Sequence, residues 1–268
     1  MVGRQWLLLL LFIGMGLPSF GATVAEEQAL WALWAAATNI PAQHEAGARA
    51  CQQFQQTFPT NQLLSASQGL AAWHYLRLGK TNEALALLNA AASAAGTPVA
   101  QAGIEMSRRW LTRLDREKVR SALADYYRHN LEYPVNLQPL KKTSPNSAVP
   151  LTDRWGAPWQ YELTAFKVIK GARGQRYRLE SKQLRESSDL AQALAEPYAG
   201  RIQLQNLSIS TMGSGVRNVA FQLLGDKPEK VLLSEGGQAA GITLAYLGAQ
   251  IIIFSDGDHW LVLPRPVK

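Results

Sequence analysis

Apolar and polar positions alternate with a different rhythm in each part of the chain, and the changes of rhythm predict its elements. An uninterrupted apolar run from Trp6 to Ile13 extends through Met15 and Leu17 to Pro18, behind Arg4. From Glu26 to Leu114 the chain is rich in Ala, Leu and Gln and poor in β-branched residues, which predicts helices. Trp31, Leu33 and Trp34 open an apolar face there, and Ala72, Tyr75, Ala84, Leu88 and Ala91 recur at spacings that two antiparallel helices joined at "RLGKTNEA" would bury together. Between Arg116 and Asn130, Val119, Leu123, Tyr126 and Tyr127 keep the helical period. Tyr133-Pro134 then stops the helix, because proline has no N–H to donate.

Beyond that stop the period shortens to two. Trp155-Gly156-Ala157-Pro158-Trp159-Gln160-Tyr161 sets aromatics at alternate positions and "RYRLES" alternates likewise, so a small antiparallel sheet is expected. Lys182–Gly200 is polar, with a short helical centre and Pro197 and Gly200 near its end, and reads as a linker. After it "RIQLQNLSIS", "NVAFQLL", "KVLLSE" and "GITLAYLG" form short β-type runs. Asp256-Gly257 between Ile251–Phe254 and Trp260–Leu263 predicts a hairpin, since both residues tolerate positive φ. The expected class is α+β: residues 1–25 a signal peptide, 26–114 a helical region, 115–181 a helix with a small sheet, 182–200 a linker, and 201–268 a small all-β domain.

The signal-peptide expectation rests on Arg4, the short apolar run, Pro18 and the small residues Gly21, Ala22 and Ala25. Thr23-Val24-Ala25 places cleavage near Ala25, with Gly21 as the second choice. About 12 apolar residues are too few to span a hydrocarbon core as a helix. No cysteine stands directly behind the run, which argues against a lipoprotein. The expected location is therefore the periplasm or cell envelope.

Residues 116–181, about a quarter of the chain, resemble the globular part of type IV pilin-like proteins, most closely the major pseudopilin of type II secretion. The motif runs through Tyr126-Tyr127, Tyr133-Pro134, Leu137 and Leu140, then Asp153, Trp155-Gly156, Pro158 and Tyr161, then Tyr177, Leu179 and Ser181. The resemblance implies that Trp155 and Tyr133 share one small core with the helix Arg116–Asn130. It also implies a calcium site in the loop after the Trp-Gly-x-Pro segment, from which this sequence departs. Glu180 is the one acid between Thr164 and Ser181, against Lys167, Lys170, Arg173, Arg176 and Arg178, and a hard cation needs several anionic oxygens. The short basic leader, the processing site with its glutamate, and the apolar stalk helix of that family are also missing, so polymerisation into a fibre is not expected.

Residues 68–96 are similar to a tetratricopeptide repeat, with Ala72, Tyr75, Ala84, Leu88 and Ala91 at its packing positions, and 48–66 contain a weaker antecedent. The C-terminal pattern, Val231–Gly237, Ile251–Phe254, Gly257, Leu261 and Leu263, resembles small β-domains of periplasmic linker proteins in type II secretion and type IV pilus machines.

Candidate chemistry is sparse. Cys51 is the only cysteine, which excludes an intramolecular disulfide and a thiolate zinc cluster. His44, His74, His129 and His259 stand in separate segments without metal-ligand spacing. Asp256, Asp258 and His259 form the tightest acidic and imidazole group, which an aspartate bonding its own hairpin backbone explains. Gly213–Gly215 lacks the lysine and helix start of a phosphate loop, and no Gly-x-Ser-x-Gly elbow occurs. No catalytic residue, metal or cofactor is expected. The formal charge of +7 falls by one when Arg4 leaves. Basic surfaces favour anionic lipid or acidic proteins, and export argues against nucleic acid. The run Lys167, Lys170, Arg173, Arg176, Arg178 is a candidate membrane-surface contact. The expected function is that of a non-enzymatic accessory or assembly component of a type II secretion or type IV pilus-like apparatus with protein partners. The alternative is an envelope scaffold that binds peptide or wall fragments.

Overall fold

The computed structural model describes residues 21–39, 42–143, 148–167, 173–184, 189–198, 203–211, 213, 215–224 and 229–266. Most of the expected signal peptide, and Lys170, lie outside them.

Five helices come first. α1 (Val24–Thr38) starts at Thr23, whose hydroxyl accepts from the Glu26 amide while Glu26 accepts from the Thr23 amide, so two exposed donors of the first turn are satisfied reciprocally. α2 (His44–Thr57) stops at Phe58-Pro59, and α3 (Leu64–Arg77) and α4 (Thr81–Ala92) form the hairpin around "RLGKTNEA". All five packing residues, Ala72, Tyr75, Ala84, Leu88 and Ala91, are buried. α5 (Pro98–Asn130) is capped by Thr97 with proline at its first position, and runs 33 residues to a left-handed Leu131 ahead of Tyr133-Pro134. The boundary expected between Leu114 and Asp115 therefore falls inside one unbroken helix. A single turn, α6 (Leu140–Thr143), follows.

β1 (Gln160–Lys167) and β2 (Arg173–Glu180) pair antiparallel, with Tyr161 opposite Leu179 and Leu163 opposite Tyr177. α7 (Leu190–Ala195) comes next. β3 (Leu204–Thr211), β4 (Arg217–Leu223) and β5 (Glu229–Ser234) form a three-stranded sheet. β6 (Gln238–Ala239), β7 (Ile242–Leu247), β8 (Ile251–Ser255) and β9 (Trp260–Pro264) form a four-stranded one. Every β8 residue is buried. Ile251 and Ile253 face the core shared with α1, α3 and α5, while Ile252 and Phe254 face the core shared with β4 and β5. That double burial explains why this strand reads as a solid apolar run instead of an alternating one.

The molecule is thus layered as helices, a four-stranded sheet, and a three-stranded sheet. The C-terminal strands do not form a domain apart. Trp260, Tyr246 and Val262 share one core with Leu70, Met106 and Trp110, and the Trp34 indole donates to the Trp260 carbonyl at 2.8 Å. A Cβ at Gly69 would lie 2.8 Å from both Met106 Sδ and Trp260 Nε1, so α3 approaches the sheet where it has no side chain.

Expectation also fails for 182–200. Leu184, Ala193 and Tyr198 are buried, Arg77 donates to the Leu194 carbonyl, and the Tyr198 ring packs edge-on against Trp73 and His259 at 4.9 and 5.1 Å. Residues 189–198 are a packed strap across the helices.

Candidate functional site

The second half of α5 builds a core of its own. Val119, Ala122 and Leu123 meet Leu137, Leu140, Trp159 and Leu179, with Tyr126, Tyr133, Tyr161 and Tyr177 at its margin. The tyrosines form a ladder: Tyr127 to Tyr133 at 4.7 Å, Tyr133 to Tyr177 at 4.9 Å and Tyr161 to Tyr177 at 6.1 Å between ring centres. The Tyr161 hydroxyl donates to the Pro134 carbonyl at 2.8 Å, and the Tyr133 amide donates to Gln175. Burial, then the neighbouring phenols, push the Tyr161 hydroxyl up to about 12, so this phenol keeps its proton for the bond to Pro134.

The segment from Asp153 to Pro158 is a loop rather than a strand. Asp153 Oδ1 accepts from the amides of Trp155 and Ala157, and Gly156 supplies the positive φ that the turn requires. Asp153 Oδ2 accepts from Ser181 at 2.7 Å, closing the loop onto the end of β2. Trp155 is half-buried and points away from the tyrosines, its indole donating to Glu105 at 3.0 Å. Trp159 fills the small core instead, its indole donating to the Pro150 carbonyl. The expectation that Trp155 and Tyr133 share a core is corrected accordingly. Alternation alone could not tell the two indoles apart, because the turn at Gly156 shifts which one faces inward.

A polar chain along α5 joins this loop to the C-terminal hairpin. Glu105 pairs with Arg109, which lies 3.6 Å from Asp258; Arg113 grips both Asp258 oxygens at 2.7 and 2.9 Å; and Arg154 reaches Asp115 at 2.5 Å. Trp110 donates to the Asp258 carbonyl. Arg113 and Asp258 are both buried, so removing Asp258 leaves the Arg113 charge uncompensated in the interior, at a cost of about 3–5 kcal/mol. Asp256 does what a hairpin aspartate does, accepting from the amides of Asp258 and His259. Burial raises its carboxyl, but the His259 ring, whose Nδ1 lies 3.7 Å from Oδ2, and those amides outweigh it and hold the group below its usual value. The arginine partner of Asp258 lies 145 residues away, which is why local spacing did not disclose it.

A cleft of about 470 Å³ opens between α5, β2 and Asp189. Arg120 meets Asp189 at 2.7 Å and Arg178 meets Glu180 at 2.8 Å, so the charges on its walls answer one another. Across the molecule, His44 and His74 face each other Nδ1 to Nδ1 at 3.1 Å beside Trp73 and Arg77. Burial and then the neighbouring His44 push His74 down to about 4. Burial likewise pushes the Cys51 thiol up to about 12, leaving it an inert apolar group. Among the described residues no three His, Cys, Asp or Glu come together as metal ligands, and no helix is long and apolar enough to cross a membrane.

Of the basic run, Lys167 and Arg173 occupy paired positions at the loop end of the hairpin, and Arg176 and Arg178 are exposed. No family model, curated protein or solved structure matches the chain.

Proposed function

We propose that the protein is an exported, non-enzymatic component that docks protein partners in a type II secretion or type IV pilus-like apparatus. The observation that carries this reading is the convergence of the motif residues. Tyr133, Tyr161 and Tyr177 join in one ladder, and Asp153 closes on Ser181, as one compact unit on the distal half of α5. In this reading the pilin-like unit is held out on a rigid rod whose proximal half is sunk in a tetratricopeptide-like helical layer and a β-sandwich. Calcium has no part in it, because the loop where the related pseudopilins hold the cation is basic here.

Export fits cleavage after Gly21 better than after Ala25. Cutting after Ala25 would remove Thr23, the cap of α1, whereas cutting after Gly21 leaves the capping box whole. The alternative of a peptide- or wall-binding scaffold is disfavoured, since α3 is buried along Ser65–Leu76 except at Gln68 and its Trp73 and Arg77 are taken up by Tyr198 and Leu194 of the strap.

Capture experiments with the intact protein and purified pseudopilins test the proposal. Equal retention with and without chelator is expected. Failure to retain any pseudopilin under either condition sinks it, and retention abolished by chelator sinks the cation-free part.

A further inference from the structure

The far end of α5 carries a group of exposed apolar side chains that stability does not explain. Leu131 is 80 % exposed and Val135 is 87 % exposed, Tyr127 and Phe166 are partly exposed, and all four are among the largest apolar groups left open to solvent. They lie at one end of the molecule. Tyr127 stacks on Tyr133, whose amide bonds Gln175, and Gln175 neighbours Gly174, over which the Phe166 ring lies. Leu131 also holds a left-handed backbone, φ 57°, where glycine or asparagine is the ordinary choice. A leucine there is unfavourable twice over, in its backbone and in its hydration, and such conflicts concentrate where a surface is used.

The charge around this end is positive. Arg176 is exposed, and Lys167 and Arg173 hold paired register positions at the hairpin's loop end. The acids on the same end are Asp125, which is paired with Arg128, Glu132, and Glu162 farther back on β1. Exposed apolar side chains flanked by tyrosines and basic residues suit a lipid interface, where aromatic rings sit at head-group level and cations meet anionic lipid.

We propose that this end binds the surface of an anionic membrane, with Leu131 and Val135 inserted to the acyl boundary, Tyr127 and Phe166 at head-group depth, and Arg176 against lipid phosphate. The inference does not rest on the secretion reading, and pseudopilin capture stands or falls separately.

Co-sedimentation of residues 21–268, which contain the whole described fold, with phosphatidylcholine vesicles, with and without phosphatidylglycerol, tests it. The expected result is partitioning at least about tenfold stronger with the anionic lipid and weakened by salt. Leu131→Gly combined with Val135→Ser should lower it by about tenfold or more. Leu131→Gly alone should leave the melting temperature unchanged or raised, because glycine relieves the left-handed position. Leu232→Ser, an exposed apolar site on β5, should bind like the wild type. Equal binding to both vesicle types, or a Leu131/Val135 variant that binds normally, overturns the proposal. So does binding to polyglutamate that needs Arg176 but not the apolar pair, which would identify an acidic protein partner instead.

Discussion

His74 shows how a single buried side chain makes stability depend on pH. Its ring lies under Gly47, where a Cβ would come within 2.3 Å of Nε2, and it shares one N–H with His44 through their Nδ1 atoms. Arg77 adds positive charge beside the pair. The folded value, about 4, lies below the ordinary one near 6.5, so the unfolded chain binds the proton more readily. Nothing is lost above about pH 6.5; stability falls as pH drops from there to about 4, by on the order of 3 kcal/mol from this group. Denaturant titrations at a series of pH values should show that loss, and His74→Gln should flatten it whatever it does to stability at neutral pH. An unchanged slope in the variant would assign the acid sensitivity to other groups.

At the scale of elements, the second core turns on Trp159. Trp159→Ala should cost about 3–5 kcal/mol, because a buried indole leaves a cavity that a sheet of two strands cannot close. Trp155→Ala removes one hydrogen bond from a half-exposed ring and should cost nearer about 1 kcal/mol. Equilibrium unfolding of the two variants distinguishes them, and a reversed order would mean that Trp155 is the anchor after all. The helical hairpin was legible in the sequence because alanines at helical spacing are a local signal, and Ala72, Ala84 and Ala91 are buried as that spacing requires. The β8–β9 hairpin was legible through Asp256-Gly257 for the same reason. The length of α5 was not, because the helix changes partners near Asp115 and its two halves look like different proteins. Nor was the strap, since the burial of Tyr198 depends on Trp73 and His259, each far away along the chain.

Across the whole molecule, the helices and both C-terminal sheets share contiguous cores, and α5 joins them to the third. Helical and sheet signals should therefore be lost together on heating, with coincident transitions by far-ultraviolet circular dichroism and tryptophan fluorescence. Two separated transitions would restore a division into independent domains.

Glu27 on α1 carries this closure furthest. Its carboxylate is buried and accepts from the Tyr246 hydroxyl at 2.6 Å and from the amides of Ala249, Gln250 and Ile251. Its helix leaves the ribosome 219 to 224 residues before the groups it binds. Until those groups emerge, the Glu27 charge has no site in which to be buried, and α1 has no sheet to cover its apolar face. The contact that locks α1 against the sheet therefore cannot form before β7 and the turn after it have been made, and the intervening chain stays open at this point until then.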